Sequence, residues 1–301
     1  MLYPREIEYF VAIVQEGNLS AAADKLCISQ PALSKYLSKL ELDIGTRLLD
    51  RDTKRVILTP AGRIYYKAAE QIMNTLYSVS KKIEDTREKG PRQLVIGATG
   101  AKSQHEMSTY IAKLLETYPT LKLKIVEYPR DELIKLIKHR EIDVGIFANS
   151  NDESELEAEE LYKTEVQLAV ANKHPLAATF AADPTQKIDI HSLTEERFIL
   201  PSRVTMFRKN IDKYLESQGI ELNVAIETKS KDTAMTYVEN DIGIGFFPKY
   251  YYKKAEDITY IDLAVPFYHQ VSIFYLKDEY IPEHSREFIR LSKEHYSRPR
   301  N

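Results

Sequence analysis

Nothing in this chain is more constraining than residues 19–41, LSAAADKLCISQPALSKYLSKLE. Its first eight residues put Leu19, Ala22, Ala23 and Leu26 on one helical face. Cys27-Ile28 makes a brief turn, with Cys27 read as a small buried core residue. Ser29 is an N-cap candidate, and Pro31 sits in the first turn, where its missing N–H costs nothing. The second helix turns Leu33, Leu37 and Leu40 inward and leaves Gln30, Ser34, Lys35, Ser38 and Lys39 outside. The small alanines permit close crossing at the turn. Two such helices read as a helix-turn-helix. The polar-basic face of the second can lie in a DNA major groove, its N-terminal residues at the base edges.

The flanks fit that reading. Residues 4–15 place Ile7, Phe10, Val11 and Val14 on one helical face, and Gly17-Asn18 ends the helix. Downstream, LLDRDTKRVILT reads as two short strands around a basic turn, a wing that carries Lys54 and Arg55 toward a minor groove or phosphates. Thr59 caps the next helix, with Pro60 at its first position. From there Tyr65, Ala68, Ala69, Ile72, Leu76, Val79 and Ile83 recur at spacings of three and four, a coiled-coil seam. Gly90-Pro91 is the expected stop. A helix over 59–89 would be about 45 Å long and has no neighbour in sequence to cover its stripe, so it predicts pairing with a second copy.

Charge separates the two ends. Residues 25–67 carry a net +5, whereas residues 91–301 carry −5. A basic N-terminal segment on an acidic body suggests a polyanion bound by one end. Several classes drop out. The chain has one cysteine, so no internal disulfide framework, and its seven histidines show no short metal-ligand spacing. No apolar run reaches the ~18 residues of a membrane span. The opening MLYPREIEYF does not read as a secretory signal, which predicts a cytoplasmic protein without a membrane partner.

After residue 92 the texture changes. LVIGATG, LKLKIVEY, DVGIFAN, VQLAVAN, RFILPS, IGIGFFP and VSIFYL read as strands. Helices are expected at 103–117, over DELIKLIKHREI, and at 206–218, 232–240 and 282–297. Alternating strands and helices predict an α/β fold with mainly parallel sheets. No internal repeat is visible.

These residues carry a family resemblance. YFVAIVQEGNLSAAADKLCISQPALSKYLSKLELDIGTRLLDR followed by LTPAG resembles the N-terminal domain of LysR-type transcriptional regulators. The matching positions include Phe10, Gly17, Ala22, Ala23, Leu26, Ser29, Gln30, Pro31, Ser34, Leu40, Glu41, Gly45, Leu48, Arg51, Thr59 and Gly62. Leu49 departs, standing where the family often has an aromatic residue. The rest resembles the family more loosely, through ELIKLIKHREIDVGIF, VANKHPLA and VENDIGIGFFP in that order. The resemblance implies a winged helix-turn-helix over 1–58 and a dimerising linker helix over 59–90. It implies a two-lobed α/β effector domain over 91–301, like type 2 periplasmic solute-binding proteins. Lobe 1 would span about 92–163 and 269–301, and lobe 2 about 164–268. A homodimer through the linker helix, and a homotetramer beyond it, would bind double-stranded promoter DNA, with RNA polymerase a further candidate partner.

DNA contact is expected at Ser29, Gln30, Pro31, Ala32, Ser34, Lys35 and Lys39, with Arg51, Lys54, Arg55 and Thr59 on the backbone or wing side. Gln30 can read an adenine edge, and Pro31 or Ala32 can touch thymine methyls. In the effector domain ligands are expected between the lobes, where strands end and helices begin. Thr99, Gly100, Lys102 and Ser103 form one such turn; Ser202, Arg203 and Thr205 form another. Two helix N-termini with hydroxyls and a cation favour a carboxylate or other small anion. Ala148, Asn149, Phe247 and Pro248, at two other strand ends, are secondary candidates. No cofactor is implied.

An enzyme is the competing class. GATGAKS approaches the phosphate-binding loop GxxxxGKS/T, but Ile96 and Ala101 stand where the glycines belong. IGIGFF holds a GxG without the third glycine, and no GxSxG or HExxH occurs. A free solute-binding protein is a reading of the C-terminal part alone, and the attached basic module argues against it.

Overall fold

The first helix, α1 (Arg5–Glu16), buries Phe10, Val11, Ala12 and Ile13. Ile13 rather than Val14 completes its inner face. The computed structural model describes residues 5–50, 56–86, 92–99, 101–149, 154–181, 183, 185–249 and 257–297, with the backbone alone for 101–106 and 181. Asn18 then caps α2 (Leu19–Lys25), accepting the Ala21 N–H at 2.7 Å. Ser29 caps α3 (Gln30–Ile44), which Gly45 ends in the left-handed conformation. Leu33 and Leu37 pack with Phe10, Ile13, Ala22, Ala23, Leu48 and Leu49 in one core. Leu49 fills that core as a plain aliphatic.

Cys27 corrects the expectation of a buried residue. It holds a left-handed φ of 54° and is exposed. The Cys27 and Ile28 N–H groups close the tight turn on Asp24 and Ala23, which aims the thiol-bearing side outward.

Strands β1 (Leu49–Asp50) and β2 (Ile57–Leu58) pair antiparallel, the root of the expected wing. The turn between them, including Arg51, Lys54 and Arg55, lies outside the described residues. Helix α4 (Pro60–Asp85) follows, 26 residues and thus about 39 Å. It ends short of Gly90-Pro91, at Thr86, whose N–H bonds Lys82 and Ile83. Asp85 accepts hydrogen bonds from the Tyr280 hydroxyl at 2.7 Å and the Glu283 N–H at 3.1 Å. Those residues lie in a short return of the chain that belongs to the same compact unit, Met1–Gly90 with Asp278–Glu283.

The second unit is Pro91–Lys277 with His284–Asn301. Its first strands are β3 (Arg92–Ala98), β4 (Leu121–Glu127) and β5 (Val144–Ala148), joined by α5 (Ala101–Thr117) and α6 (Arg130–Lys138). Strand β3 lies between β4 and β5, all parallel. A matching parallel set is β8 (Arg197–Pro201), β9 (Asn223–Thr228) and β10 (Ile244–Pro248), with α8 (Met206–Gln218) and α9 (Lys231–Glu239). Before it come α7 (Pro175–Ala181) and the short β7 (Lys187–Ile188). Strand β11 (Ile258–Leu263) and helix α10 (Glu283–Ser297) complete the unit.

Two long strands make the sheet mixed rather than mainly parallel. Strand β6 (Leu156–Ala171) and strand β12 (Tyr268–Leu276) pair antiparallel over 156–165, and β12 also pairs antiparallel with β5. Past Glu165, β6 lies instead between β10 and β11. The acidic start of β6, LEAEELYKTE, buries only Leu156 and Leu161, so neither alternation nor an apolar run marks it as a strand in sequence. Each half has its own apolar core. One centres on Leu133, Ile137, Phe147 and Phe274; the other on Phe198, Ile211, Phe246 and Leu263. The result is a two-lobed α/β fold hinged on β6 and β12.

Candidate DNA interface and effector site

Helix α3 is held from behind and open in front. Tyr36 donates its hydroxyl hydrogen to the Glu6 carbonyl and meets Tyr9 edge-on at 5.2 Å. Burial pushes the Tyr36 phenol far above its ordinary value, so it stays a neutral donor. Glu41 is buried, and its carboxylate accepts the Leu48 and Leu49 N–H groups at 2.8 and 3.1 Å. That ties the root of the wing to the end of α3, a role that the sequence pattern did not reveal.

On the open side Gln30, Pro31, Ala32, Lys35 and Lys39 are exposed, and Ser34 is partly so. Lys35 and Lys39 stand one turn apart with no ion pair among the described residues. Ser29 accepts the Ala32 N–H at 3.4 Å, so its hydroxyl serves the cap. Thr59 does likewise: it accepts the Gly62 N–H at 2.9 Å and donates to the Arg47 carbonyl at 2.8 Å. The Thr59 hydroxyl therefore holds α4 to the wing instead of offering itself outward.

The expected effector residues divide. Thr99 follows β3, its N–H bonded to the Ile146 carbonyl at 3.3 Å. Lys102 and Ser103 lie inside the first turn of α5, which starts at Ala101 rather than 103. Gly100 lies outside the described residues. Ser202 is tied by its N–H to Thr228. Thr205 caps α8, accepting the Arg208 N–H at 3.2 Å. Arg203 is 78% exposed, and its cation faces Glu227 at 3.5 Å. Phe247 corrects the expectation outright. Its ring is buried with Ala169, Ile199, Ala234, Val238 and Ile258, on the core side of β10. Ala148 and Pro248 are buried strand residues as well. Asn149 lines a cavity of about 390 Å³ that it shares with α8 and residues 265–270.

Three residues near the α8 N-terminus were missed. His269 is 5% exposed and meets the Phe207 ring edge-on at 5.0 Å. The Lys231 ammonium lies 5.5 Å from the same ring. Burial, helped by the Lys231 charge, pushes the His269 imidazole down to about 3, so it is neutral at pH 7. Its Nδ1 is buried without a partner. Only strand alternation with Tyr268 and Gln270 hinted that His269 points inward. Arg208, 3% exposed, was missed too. It binds Asp212 and Glu227 at 2.7 Å each and the Pro201 carbonyl at 3.0 Å, fixing the β8–α8 turn.

The family model for the bacterial regulatory helix-turn-helix protein, lysR family, matches residues 4–63, and that for the LysR substrate binding domain matches residues 87–297. The chain belongs to the LysR family. Among curated relatives, the HTH-type transcriptional regulator CysL of Bacillus subtilis (strain 168) is 26% identical, covering 88% of this chain and 86% of the relative. BenM of Acinetobacter baylyi is 25% identical over 81% of this chain and 79% of the relative. Solved structures share the fold. HinK from Pseudomonas aeruginosa has a TM-score of 0.59 at 22% identity, covering 97% of both chains. CbnR complexed with its target DNA has a TM-score of 0.55 at 19% identity, covering 97% of this chain and 99% of that one.

As a LysR protein, the chain is a DNA-binding transcriptional regulator with a domain for small-molecule effectors, not an enzyme. Among the described residues no group of three or more His, Cys, Asp or Glu gathers to hold a metal, and no helix is long and apolar enough to cross a membrane.

Proposed function

We infer that this LysR regulator reads promoter DNA as a homo-oligomer and responds to a small anionic metabolite bound between its lobes. The observation that carries the first half is the open face of α3. Gln30 and Ala32 stand at the helix start, where base edges are reached, and Lys35 and Lys39 follow as exposed cations without an ion pair among the described residues. CbnR, which shares the fold, was solved on its target DNA, and that supports the same docking here. Arg51, Lys54 and Arg55 are assigned to the wing side.

The oligomer reading rests on α4. Ile64, Ile72, Val79 and Ile83 remain exposed on the single chain, Ile72 at 44%. A stripe of this kind on a long helix is buried by a second copy. A homotetramer is the fuller assembly proposed, with RNA polymerase a candidate contact.

The anion reading rests on the strand ends. Thr99 and Ser202 stand at the ends of β3 and β8, before the N-termini of α5 and α8. The partial positive charge of those termini, with Lys231 near Phe207, favours a carboxylate.

A binding selection from random duplexes tests the DNA half. Gln30→Ala should change the preferred sequence, at about 1–3 kcal/mol of discrimination for the base it reads. Lys39→Ala should weaken every site alike and flatten the salt slope by about one unit. An unchanged preference in Gln30→Ala refutes base reading by that residue. For the ligand half, calorimetry on a screened acid should lose affinity in Thr99→Val and Ser202→Ala, and unaltered affinity in both would remove this site.

A further inference from the structure

One cavity of the second unit is lined by neither Thr99 nor Ser202. It lies beside the hinge, where β12 begins, and has a volume of about 390 Å³. Asn149 enters it from the end of β5, Gln270 from β12, and Asn210, Lys213 and Tyr214 from α8. Phe267 supplies an aromatic wall, stacked on the Tyr214 ring at 4.4 Å.

The side-chain heads of Asn149, Asn210, Lys213 and Gln270 have no partner among the described residues. Three other cations of this unit are paired: Arg203 and Arg208 with Glu227, and Lys249 with Glu165 and Asp262. No carboxylate lines the cavity among the described residues, so the Lys213 charge is not balanced from within. The Tyr214 hydroxyl is buried and has no partner among the described residues. Burial, with the Asp189 charge behind it, holds that phenol near 12, so it remains a neutral donor. Lys213 is exposed and Asn149, Asn210 and Gln270 are partly so, which leaves their heads free to meet a ligand, and the buried Tyr214 hydroxyl is the polar group that gains most from one. The apolar wall of Phe267 and half-exposed Val265 asks for an apolar body.

We propose that this hinge-side cavity is a second ligand site that takes a small carboxylic acid bearing an amide and an apolar body. The acid meets Lys213, the amide meets Asn149, Asn210 and Gln270, and the apolar body lies on Phe267. The volume suits about 15 non-hydrogen atoms. The Asn149 N–H bonds the Gln270 carbonyl at 3.0 Å, so one edge of the site is the β5–β12 pairing and the other is α8. A ligand spanning both edges favours one setting of the hinge over another. The site is separate from the strand-end site inferred above, and neither depends on the other.

Disulfide trapping in the full-length protein tests this. Cys27 is the chain's single cysteine, and Ser217 is an exposed residue on the cavity rim. A Cys27→Ser, Ser217→Cys protein is equilibrated with three disulfide probes on one phenylalanine-amide scaffold, bearing a carboxylate, a carboxamide or an amine. The carboxylate probe should be captured at least five-fold over the others at fixed reductant. Lys213→Gln should erase that preference, and Asn149→Ala or Asn210→Ala should lower capture of all three. Thr99→Val and Ser202→Ala should leave capture unchanged. Equal capture of the three probes, or a preference that survives Lys213→Gln, overturns the proposal. Loss of capture in Thr99→Val assigns the cavity to the strand-end site and overturns it too. Protection of the introduced thiol by rising protein concentration without probe overturns it in favour of a second copy on this face.

Discussion

The two compact units use charge in opposite ways. On α3 the cations Lys35 and Lys39 stand exposed without ion pairs among the described residues, and the carboxylate that matters, Glu41, is turned inward onto backbone N–H groups. In the second unit several cations are held by carboxylates. Arg208 holds Asp212, Glu227 and the Pro201 carbonyl; Lys249 holds Glu165 and Asp262; Lys293 holds Glu159. Unpaired charge is what a polyanion partner needs, because each contact then releases a counterion without first breaking a pair. Paired charge is what a hinged domain needs to fix its turns. Lys213 is informative through its place in a cavity that no carboxylate lines among the described residues.

The largest effects should come from backbone packing and should stay within one unit. A Cβ on Gly62 would land on the Leu48 carbonyl, where α4 crosses the wing root. A Cβ on Gly243 would land on the Arg197 carbonyl in the other unit. Gly62→Ala and Gly243→Ala should each cost about 3 kcal/mol. In calorimetry each should move a different unfolding transition. A single transition shifted equally by both would break the comparison, because the units would then unfold as one.

Next comes Arg208→Met, at about 2 kcal/mol. Breaking a buried pair costs more than that when both partners are buried, but Glu227 and Asp212 reach solvent. The loss should appear in the second unit alone, read by denaturant titration. A cost under about 0.5 kcal/mol would mean that water replaces Arg208 fully at the Pro201 carbonyl and Glu227.

How much of this was legible in the sequence follows from the same contrast. The first unit is local. Its helices carry their own caps and periodic faces, so Ser29, Thr59, Leu33 and Leu37 could be assigned from spacing alone, whereas Asn18, read as the end of α1, caps α2. The second unit depends on partners far away in sequence. The acidic start of β6 looks like a solvated run until β12, more than 100 residues later, lies beside it. β9 and β11 carry too few apolar residues in alternation to stand out. Phe247 sat at a strand end, where ligands gather, yet its alternation faced the core. His269 and Lys213 were invisible for the opposite reason: nothing local distinguishes a histidine beside Phe207 or a lysine at a cavity.

His269 sharpens the comparison through pH. Its folded value is pushed down to about 3, below the ~6.5 of an unfolded histidine, by burial and by Lys231. The neutral form is therefore favoured in the folded state. The stability it confers is full above about pH 6.5 and falls as the unfolded chain takes up the proton below that. By about pH 5 the loss should be about 2 kcal/mol. The shifted carboxylates Asp262 and Glu159 act mainly at lower pH, so the contribution of His269 is read between about pH 6.5 and 5 as the difference from a His269→Phe protein. His191, exposed and raised by its hydrogen bond to Asp189, works with the opposite sign. The stability that a His269→Phe protein loses across that interval should be smaller by about 2 kcal/mol, and an undiminished slope would assign it to other groups.

The smallest effects decide between the two uses of charge. Lys249→Gln removes a cation that burial disfavours but Asp262 and Glu165 retain, and it should cost the second unit about 1 kcal/mol. Asp262 would lose the partner that, with Gln167, outweighs burial and holds its carboxyl below the ordinary value. A depressed carboxyl contributes stability above about pH 4 and loses it below, so the cost of Lys249→Gln should shrink as pH falls toward about 3. Lys39→Gln is the chemically matched change on α3. With no pair to break, it should leave the stability of the first unit within about 0.5 kcal/mol at every pH. Its effect should appear instead in the salt dependence of DNA binding. A Lys39→Gln protein that is destabilised like Lys249→Gln, yet keeps its salt slope, would show that the α3 cations serve the fold and not a polyanion.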